Sequence, residues 1–447
     1  MSKSPSVAPG TEKPARTSSS VSSSIMQAYR RSTSLMSASP RADTYVPVPP
    51  SILDTKACVV IELGFRYTRI GFAGEYYPRE ILRSEVLDPD DDTVQPVFAD
   101  GRTDEEEHRF LHLFFRKIFF KYILCSVKER RMLIVESLLT STKKRNRVAS
   151  VLFETSTFTP PAILFAPSHL LHTIPFSVNT ALVVDVGFSE TVLVPVYEGV
   201  TMINNYECSP VSSRLLEDHI AYLLKEHGAI ELENGEHRKI TDDDITEMRR
   251  LNILEDIAVR VCFATKIDRG QRIQEDKVDF EVAVESRVGF VRNTIVIPGI
   301  VREGAAEIFF KPSHCDDDRS VPELILDCVM RLPIDMRRSV ISNLAIVGGA
   351  ARMTGFMARM KAELKWHLQE NARYSMLSRL GDSIKFYIHR EAPVEFYSAW
   401  LGGSLLASLD IMQFRSTTRE EWLKSRTLPD WTEKIDSYLK TDIENAL

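Results

Sequence analysis

The chain has 447 residues, 44% hydrophobic and 26% charged, the balance of a folded soluble protein built as two or three domain-sized units or one large two-lobed fold. Its 56 basic and 62 acidic side chains leave a formal charge of −6, so there is no global basic field to hold nucleic acid or an anionic membrane. The six cysteines (Cys58, Cys125, Cys208, Cys262, Cys315, Cys328) include no C-x-x-C pair and no cluster at zinc-ligand spacing; they read as buried thiols of a reducing compartment.

Residues 1–54 are rich in serine and proline and poor in large apolar side chains, which predicts a disordered tail, because too little surface is available to offset the entropy of ordering. No run of 18 apolar residues occurs, so neither export nor membrane spanning is expected and the cytosol or nucleus remains. Val21–Ala42 carries Arg30, Arg31 and Arg41 among serines, a composition that also suits a transit peptide, although a solvated linker or phosphorylation target is the plainer reading. From Lys56 onward, apolar runs of strand length alternate with helical stretches: Ala57–Ile61, Met132–Val135, Ala162–Phe165, Ala181–Val186, Leu193–Val196 and Leu344–Val347. Such runs suit strands buried on both faces, with helices covering them. Helices are expected over Glu105–Leu124, Leu215–Lys225, Asp256–Lys266, Val321–Arg331, Gly355–Gln369 and Ala399–Ile411. On the first of these Arg109, His112, Arg116, Lys117 and Lys121 gather on one side, as on a helix laid over a sheet. The fold class is α/β.

One pattern occurs twice. Val59-Val60-Ile61-Glu62-Leu63-Gly64-Phe65 and Leu182-Val183-Val184-Asp185-Val186-Gly187-Phe188 share an apolar strand, an acid, one residue, a glycine and a phenylalanine. A second strand-like segment follows each, Tyr67–Phe72 and Thr191–Val196, so each copy predicts a hairpin, and two facing hairpins make a cleft. An acid such as Glu62 or Asp185 at a strand end can orient magnesium through its waters, and a turn glycine such as Gly64 or Gly187 lets backbone N–H groups approach phosphate. Gly348 and Gly349, after a strand and before a helix, fit the same picture. The bland alternative is three ordinary turns in a large α/β protein.

Other candidates are weaker. Ser168, His169 and His172 suggest a nucleophile–base or metal pair, but no third ligand or orienting acid is near in sequence, and surface or core histidines are the simpler reading. The acidic runs Asp88–Asp92, Asp104–Glu107, Asp242–Asp244 and Asp316–Asp318 lack the glycine and closing glutamate of a calcium loop and read as solvated loops. No catalytic metal site is expected.

At these motifs the chain resembles the actin superfamily, collinearly from about Lys56 to Asp430. Ile70-Gly71-Phe72-Ala73-Gly74-Glu75 with Pro78-Arg79, Pro195-Val196-Tyr197-Glu198-Gly199, and Tyr397-Ser398-Ala399-Trp400-Leu401-Gly402-Gly403-Ser404 carry the resemblance. It implies the actin-like ATPase fold, with ribonuclease H-like duplicated lobes around a central cleft. Lobe one would take about 55–175 and 393–447, lobe two about 176–392. It implies a nucleotide site at Glu62, Gly64, Arg69, Asp185, Gly187, Gly348 and Gly349, with Arg69 in the place of a phosphate-binding lysine. Several actin groups are replaced, however. Phe65 and Arg66 stand for a serine and a glycine, Phe188 and Ser189 for an aspartate and a glycine, and Ser168 and Val192 for a water-orienting glutamine and its nearby histidine. Ala258, Val259 and Met353 alter the nucleoside side. Without groups to orient water or stabilise phosphoryl charge, ATP hydrolysis is expected to be weak or absent, while binding of ATP or ADP with magnesium stays open.

Filament-forming actins insert a mobile loop into the barbed-end groove of a neighbour. Here the interval between Val86 and the helix near Phe110 is short and acidic, whereas the groove framework in Pro160–Leu171 and Tyr397–Ser404 is kept. A subunit that receives a loop but offers none would cap a filament. Ala166-Pro167-Ser168-His169-Leu170, Arg130–Ser137 and Leu428-Pro429-Asp430-Trp431 resemble the actin-related subfamily at the pointed end of dynactin; the Ser-rich tail departs from it. The implied partners are the actin-related filament subunits, other pointed-end dynactin subunits and, indirectly, dynein in the cytoplasm, with no nucleic acid and no membrane. The alternatives are an actin-like ATPase and a nuclear subunit of a chromatin remodeller.

Overall fold

A computed structural model of the chain describes residues 56–99, 101–278, 281–311, 319–389 and 391–429. The Ser/Pro-rich tail with Arg30, Arg31 and Arg41, Cys315, the Asp316–Asp318 run and Trp431 lie outside the described residues.

The strands in chain order are β1 (Val59–Leu63), β2 (Tyr67–Phe72), β3 (Glu80–Arg83), β4 (Glu85–Leu87), β5 (Val94–Pro96), β6 (Met132–Glu136), β7 (Ala162–Pro167), β8 (Ala181–Val186) and β9 (Thr191–Tyr197). They continue with β10 (Val200–Thr201), β11 (Glu207–Ser209), β12 (Ala229–Glu231), β13 (His237–Arg238), β14 (Ser286–Phe290), β15 (Asn293–Ile297), β16 (Leu344–Val347) and β17 (Thr417–Thr418). They form a six-stranded sheet, β17-β7-β6-β1-β2-β3, and a five-stranded sheet, β10-β9-β8-β16 with β11 on β9. In the first, β1 runs antiparallel to β2 and parallel to β6; in the second, β8 runs antiparallel to β9 and parallel to β16. The duplicated sequence pattern is thus a duplicated piece of topology. A four-stranded sheet, β13-β12-β15-β14, and the β4–β5 pair complete the fold.

The central strands β1 and β6 of the first sheet are buried on both faces, which is why they read as apolar runs. Val59, Ile61, Met132 and Ile134 face one core; Val60, Leu133, Val135 and Trp400 face another. The second sheet and its helices share a larger core. Two connections link the halves, the short Ser168–Thr173 helix and the Ala392–Ala407 helix. They lie against each other because position 402 has no side chain: a Cβ on Gly402 would fall far inside contact distance of the Leu171 carbonyl. His172 Nδ1 meets Ser398 Oγ at 2.7 Å across the same junction, and Trp400, fully buried, donates from its indole to the Val60 carbonyl at 3.2 Å.

Several expectations are corrected. The helix expected over Asp256–Lys266 spans only Ile253–Arg260, because tertiary partners take the next amides: Phe263 N donates to Arg302 O and Ala264 N to Thr354 O. Asp242–Asp244 is no solvated loop but the first turn of the Asp242–Arg250 helix, capped reciprocally by Thr241 and Asp244. Asp244 is buried, paired with Arg238 at 2.6 and 2.8 Å. Asp104–Glu107 likewise opens the Asp104–Lys117 helix, which is capped by Thr103 and Glu106 and runs on as a π turn over Ile118–Tyr122. Asp88 is buried and paired with Arg109. Cys58, Cys262 and Cys328 are buried as expected, but Cys125 and Cys208 are only half-buried. Among the described residues no helix is long and apolar enough to cross a membrane.

Gly402→Ala forces the two crossing segments apart and is expected to lower stability by about 1–3 kcal/mol, the usual cost of overpacking. Gly289→Ala, with nothing within 4 Å of the added methyl, is the control and should stay within about 0.5 kcal/mol. Equal denaturant midpoints for the two variants would refute the close-approach account.

Candidate functional site: the cleft between the twin turns

Both turns are built the same way. Gly64 N donates to Tyr67 O at 3.2 Å and Gly187 N to Glu190 O at 3.0 Å. A Cβ would stand 2.5 Å from Tyr67 O at Gly64 and 2.8 Å from Glu190 O at Gly187, so each glycine is required by its own turn. Gly348 has φ +98° and lies against the Val186 backbone, where a Cβ would clash. Gly349 has only Ser213 Oγ near, at 3.9 Å. The third glycine element is therefore brought beside the second turn, as the parallel pairing of Val347 with Asp185 dictates.

Several amides and cations around the two turns are engaged within the chain. Ser213 N and Arg214 N, the first amides of the Ser213–His227 helix, donate to Gly187 O and Phe188 O. Arg69 pairs with Glu62, its cross-strand neighbour. Arg66 reaches across the cleft to Glu217 at 3.1 Å and Glu255 at 3.0 Å, and its guanidinium lies 4.8 Å from the centre of the Phe188 ring. Arg83 holds Asn252 at 2.6 Å and also pairs with Glu255, to which Tyr67 donates its hydroxyl. Burial pushes Glu217 up; Glu255 is also buried, but Tyr67, Arg66 and Arg83 together hold its carboxyl below the usual range. Phe65 turns away from the cleft, edge-on to Phe98 at 5.7 Å, with Lys144 4.1 Å from its ring centre.

Asp185 stands near the end of β8, close enough to Glu62 for the two charges to act on each other. Burial, reinforced by the nearby Glu62 charge, pushes it up to about 6. With Ser137, Leu138, Ser168, His169, Val183, Val192 and Val194 it lines a cavity of about 10 Å³, about the room one water needs. His169 and His172 are core histidines: His169 Nε2 lies 2.9 Å from Thr201 Oγ1, and burial pushes the two rings down to about 4 and about 3. No group of three metal-ligating side chains occurs among the described residues. Of the residues that the resemblance sets on a nucleoside side, Ala258 and Met353 are buried and Val259 is half exposed.

The structure thus brings Glu62, Gly64, Arg69, Asp185, Gly187, Gly348 and Gly349 to one cleft. Sequence reasoning missed Glu217, Glu255, Arg83 and Asn252. Their one signal was an acid on the apolar side of a helix, Glu217 among Leu216, Ile220 and Leu224, and Glu255 beside Leu254 and Ile257.

Twin strand–turn–strand units facing across a cleft, each joined in parallel to a third strand, define an actin-type fold, and the sequence profile of the actin family, described as Actin, matches residues 111–427. The chain belongs to the actin family. It is similar to Actin-related protein 10 of Dictyostelium discoideum, 27% identical over 451 residues that cover 88% of this chain and 93% of the relative.

The shifted groups set a pH response. His169 and His172 titrate lower in the fold than the ordinary 6.5, so the unfolded chain binds more protons and stability, full above pH 6.5, falls as the pH drops toward 4. Asp185 acts oppositely: its raised value disfavours the ionised form in the fold at neutral pH and the penalty lifts as the pH falls through 6. Asp185→Asn is expected to raise stability at pH 7.5 by on the order of 2 kcal/mol, the gain vanishing near pH 4, and His172→Gln should flatten the loss between pH 6.5 and 5. Denaturant midpoints across this range read both; no gain for D185N at pH 7.5 refutes the assignment.

Proposed function

We propose that this actin-family chain is a non-catalytic structural subunit that caps the pointed end of the actin-related filament of dynactin, acting in the cytoplasm in dynein-driven transport along microtubules. Its partners in this reading are the terminal filament subunits on its barbed side and other pointed-end subunits on its exposed side. The observation that carries the proposal is the segment from which filament-forming actins donate a loop. Here β4 and β5 close over a turn at Asp88–Thr93, with Asp88 N donating to Thr93 O at 2.8 Å. Arg109 bolts that turn to the next helix through Asp88 and through Asp90 at 2.7 Å, and Lys117 Nζ donates to Glu85 O at 2.8 Å. A hairpin this short and this pinned offers a neighbour nothing to receive.

The engaged cleft supports the non-catalytic half. Phe188 and Val192 cannot orient a water or donate to a phosphoryl oxygen, and the cations that would offset phosphate charge face carboxylates of the same chain. Likeness to Actin-related protein 10 supports the same reading.

Affinity purification of the native protein is expected to return actin-related filament and pointed-end subunits of dynactin; a chromatin-remodelling assembly in their place would overturn the proposal. Replacing Asp88–Thr93 by a full-length donor loop should let subunits add beyond the capped end, read as filament length by electron microscopy, and unchanged length counts against the loop mechanism. A steady-state phosphate-release assay on pure protein with ATP and magnesium should stay at background.

A further inference from the structure

We infer that Arg66, Glu217 and Glu255, with Phe188 as the platform, form a latch that holds the two halves of the molecule closed in the place where relatives put a nucleotide. The inference rests on the non-catalytic reading of the same cleft and goes beyond it, since losing hydrolysis does not by itself supply a means of closure.

The residues come from opposite sides. Arg66, Tyr67 and Arg83 belong to the β1–β2 turn, β2 and β3, while Glu217 and Glu255 sit on the Ser213–His227 and Ile253–Arg260 helices packed in the core of the second sheet. Every cross-cleft hydrogen bond among them spans more than 150 positions of chain. Glu255 is the shared partner: one oxygen faces Arg66 at 3.0 Å and also pairs with Arg83, and the other accepts from Tyr67. The Arg66 guanidinium lies 4.8 Å from the ring centre of Phe188, in the second turn, so one guanidinium touches the second turn and both helices at once. Arg214 packs on the same ring, 5.3 Å from its centre. A flat, delocalised cation suits this, stacking on an aromatic face while its edge binds carboxylates. Three guanidinium groups, Arg66, Arg83 and Arg214, stand with three carboxylates, Glu217, Glu255 and Glu85, the last 3.8 Å from Arg83, and the side chains of Arg66, Arg83, Glu217 and Glu255 are 10–27% exposed. At that depth the pairs are worth more than surface ion pairs, yet salt still reaches them.

A polyphosphate entering between the turns would have to strip Arg66 from Phe188 and from both acids, and would then face Glu217 and Glu255 without their counter-charge. Closure by nucleotide and closure by the latch are mutually exclusive, and these residues supply the second.

Hydrogen exchange of the full-length protein tests this, read at the amides of β2–β3 and of the Ile253–Arg260 helix. Without nucleotide, both segments of the native protein should be protected, and Glu255→Gln should speed exchange in both at least about tenfold, with little change in the β14–β15 hairpin. Arg66→Lys, which keeps charge but loses the fork and the stack, should give an intermediate rise. Should the variants fail to fold, raising sodium chloride from about 0.1 M to about 1 M shortens the Debye length from about 10 to about 3 Å and should loosen the same two segments of the native protein. Adding ATP or ADP with magnesium should change neither segment. Unchanged exchange in E255Q, or marked protection by nucleotide, overturns the latch. Sustained phosphate release in a parallel assay would instead overturn the non-catalytic reading, so the two failures are told apart.

Discussion

The Arg66 guanidinium, packed over Phe188 and shared between Glu217 and Glu255, is the central one of the contacts through which the two halves of this actin-family molecule meet at the cleft. Its charge cannot be left half-buried without partners, because desolvation of a cation in such a site costs more than a surface ion pair returns. The acids in turn sit on helices whose apolar faces, Leu216, Ile220 and Leu224 on one and Leu254 and Ile257 on the other, are buried in the second core. Position, charge and packing are therefore coupled: the turn carrying Arg66 is fixed by Gly64, the ring beneath it by Gly187, and the acids by the hydrophobic packing of their helices.

At the other end of the cleft the halves are joined by chain connectivity. The two crossing segments touch backbone to backbone at Gly402 and Leu171, and the polar groups trapped there are satisfied in pairs, His172 with Ser398 and Trp400 with the Val60 carbonyl. A hinge made from tightly apposed backbone at the base and an ionic contact at the mouth needs no third component to define its geometry. That arrangement is consistent with the proposed role of a subunit that presents a fixed surface rather than opening and closing around a reacting phosphate.

In the proposed reading, the residues that depart from a phosphate loop are the ones that make the ionic contact. Where a phosphate loop needs a small residue and exposed amides, this chain has Arg66 and Phe188, and the amides of Ser213 and Arg214 answer carbonyls of the second turn. Glu62 and Asp185 stay at their strand ends, but Glu62 now neutralises Arg69, and Asp185 is left raised by its burial and by the Glu62 charge.

The α/β class, the twin hairpins and most strand positions were readable from the sequence because buried strands announce themselves by short unbroken apolar runs and a tight turn by its glycine. Tyr67–Phe72 and Ala181–Val186 appear in the fold with the bounds their patterns suggest. What local pattern could not decide lies where distant segments compete for the same groups. The early end of the Ile253–Arg260 helix follows from carbonyls of Arg302 and Thr354 that take the next amides. Phe65 and Arg66, adjacent in sequence and both read as bulk in a phosphate loop, part company: one packs on Phe98 and Lys144, the other crosses the cleft. Composition and periodicity establish which faces are buried; which charge answers which depends on side chains more than 150 residues apart, and only tertiary packing brings them within reach.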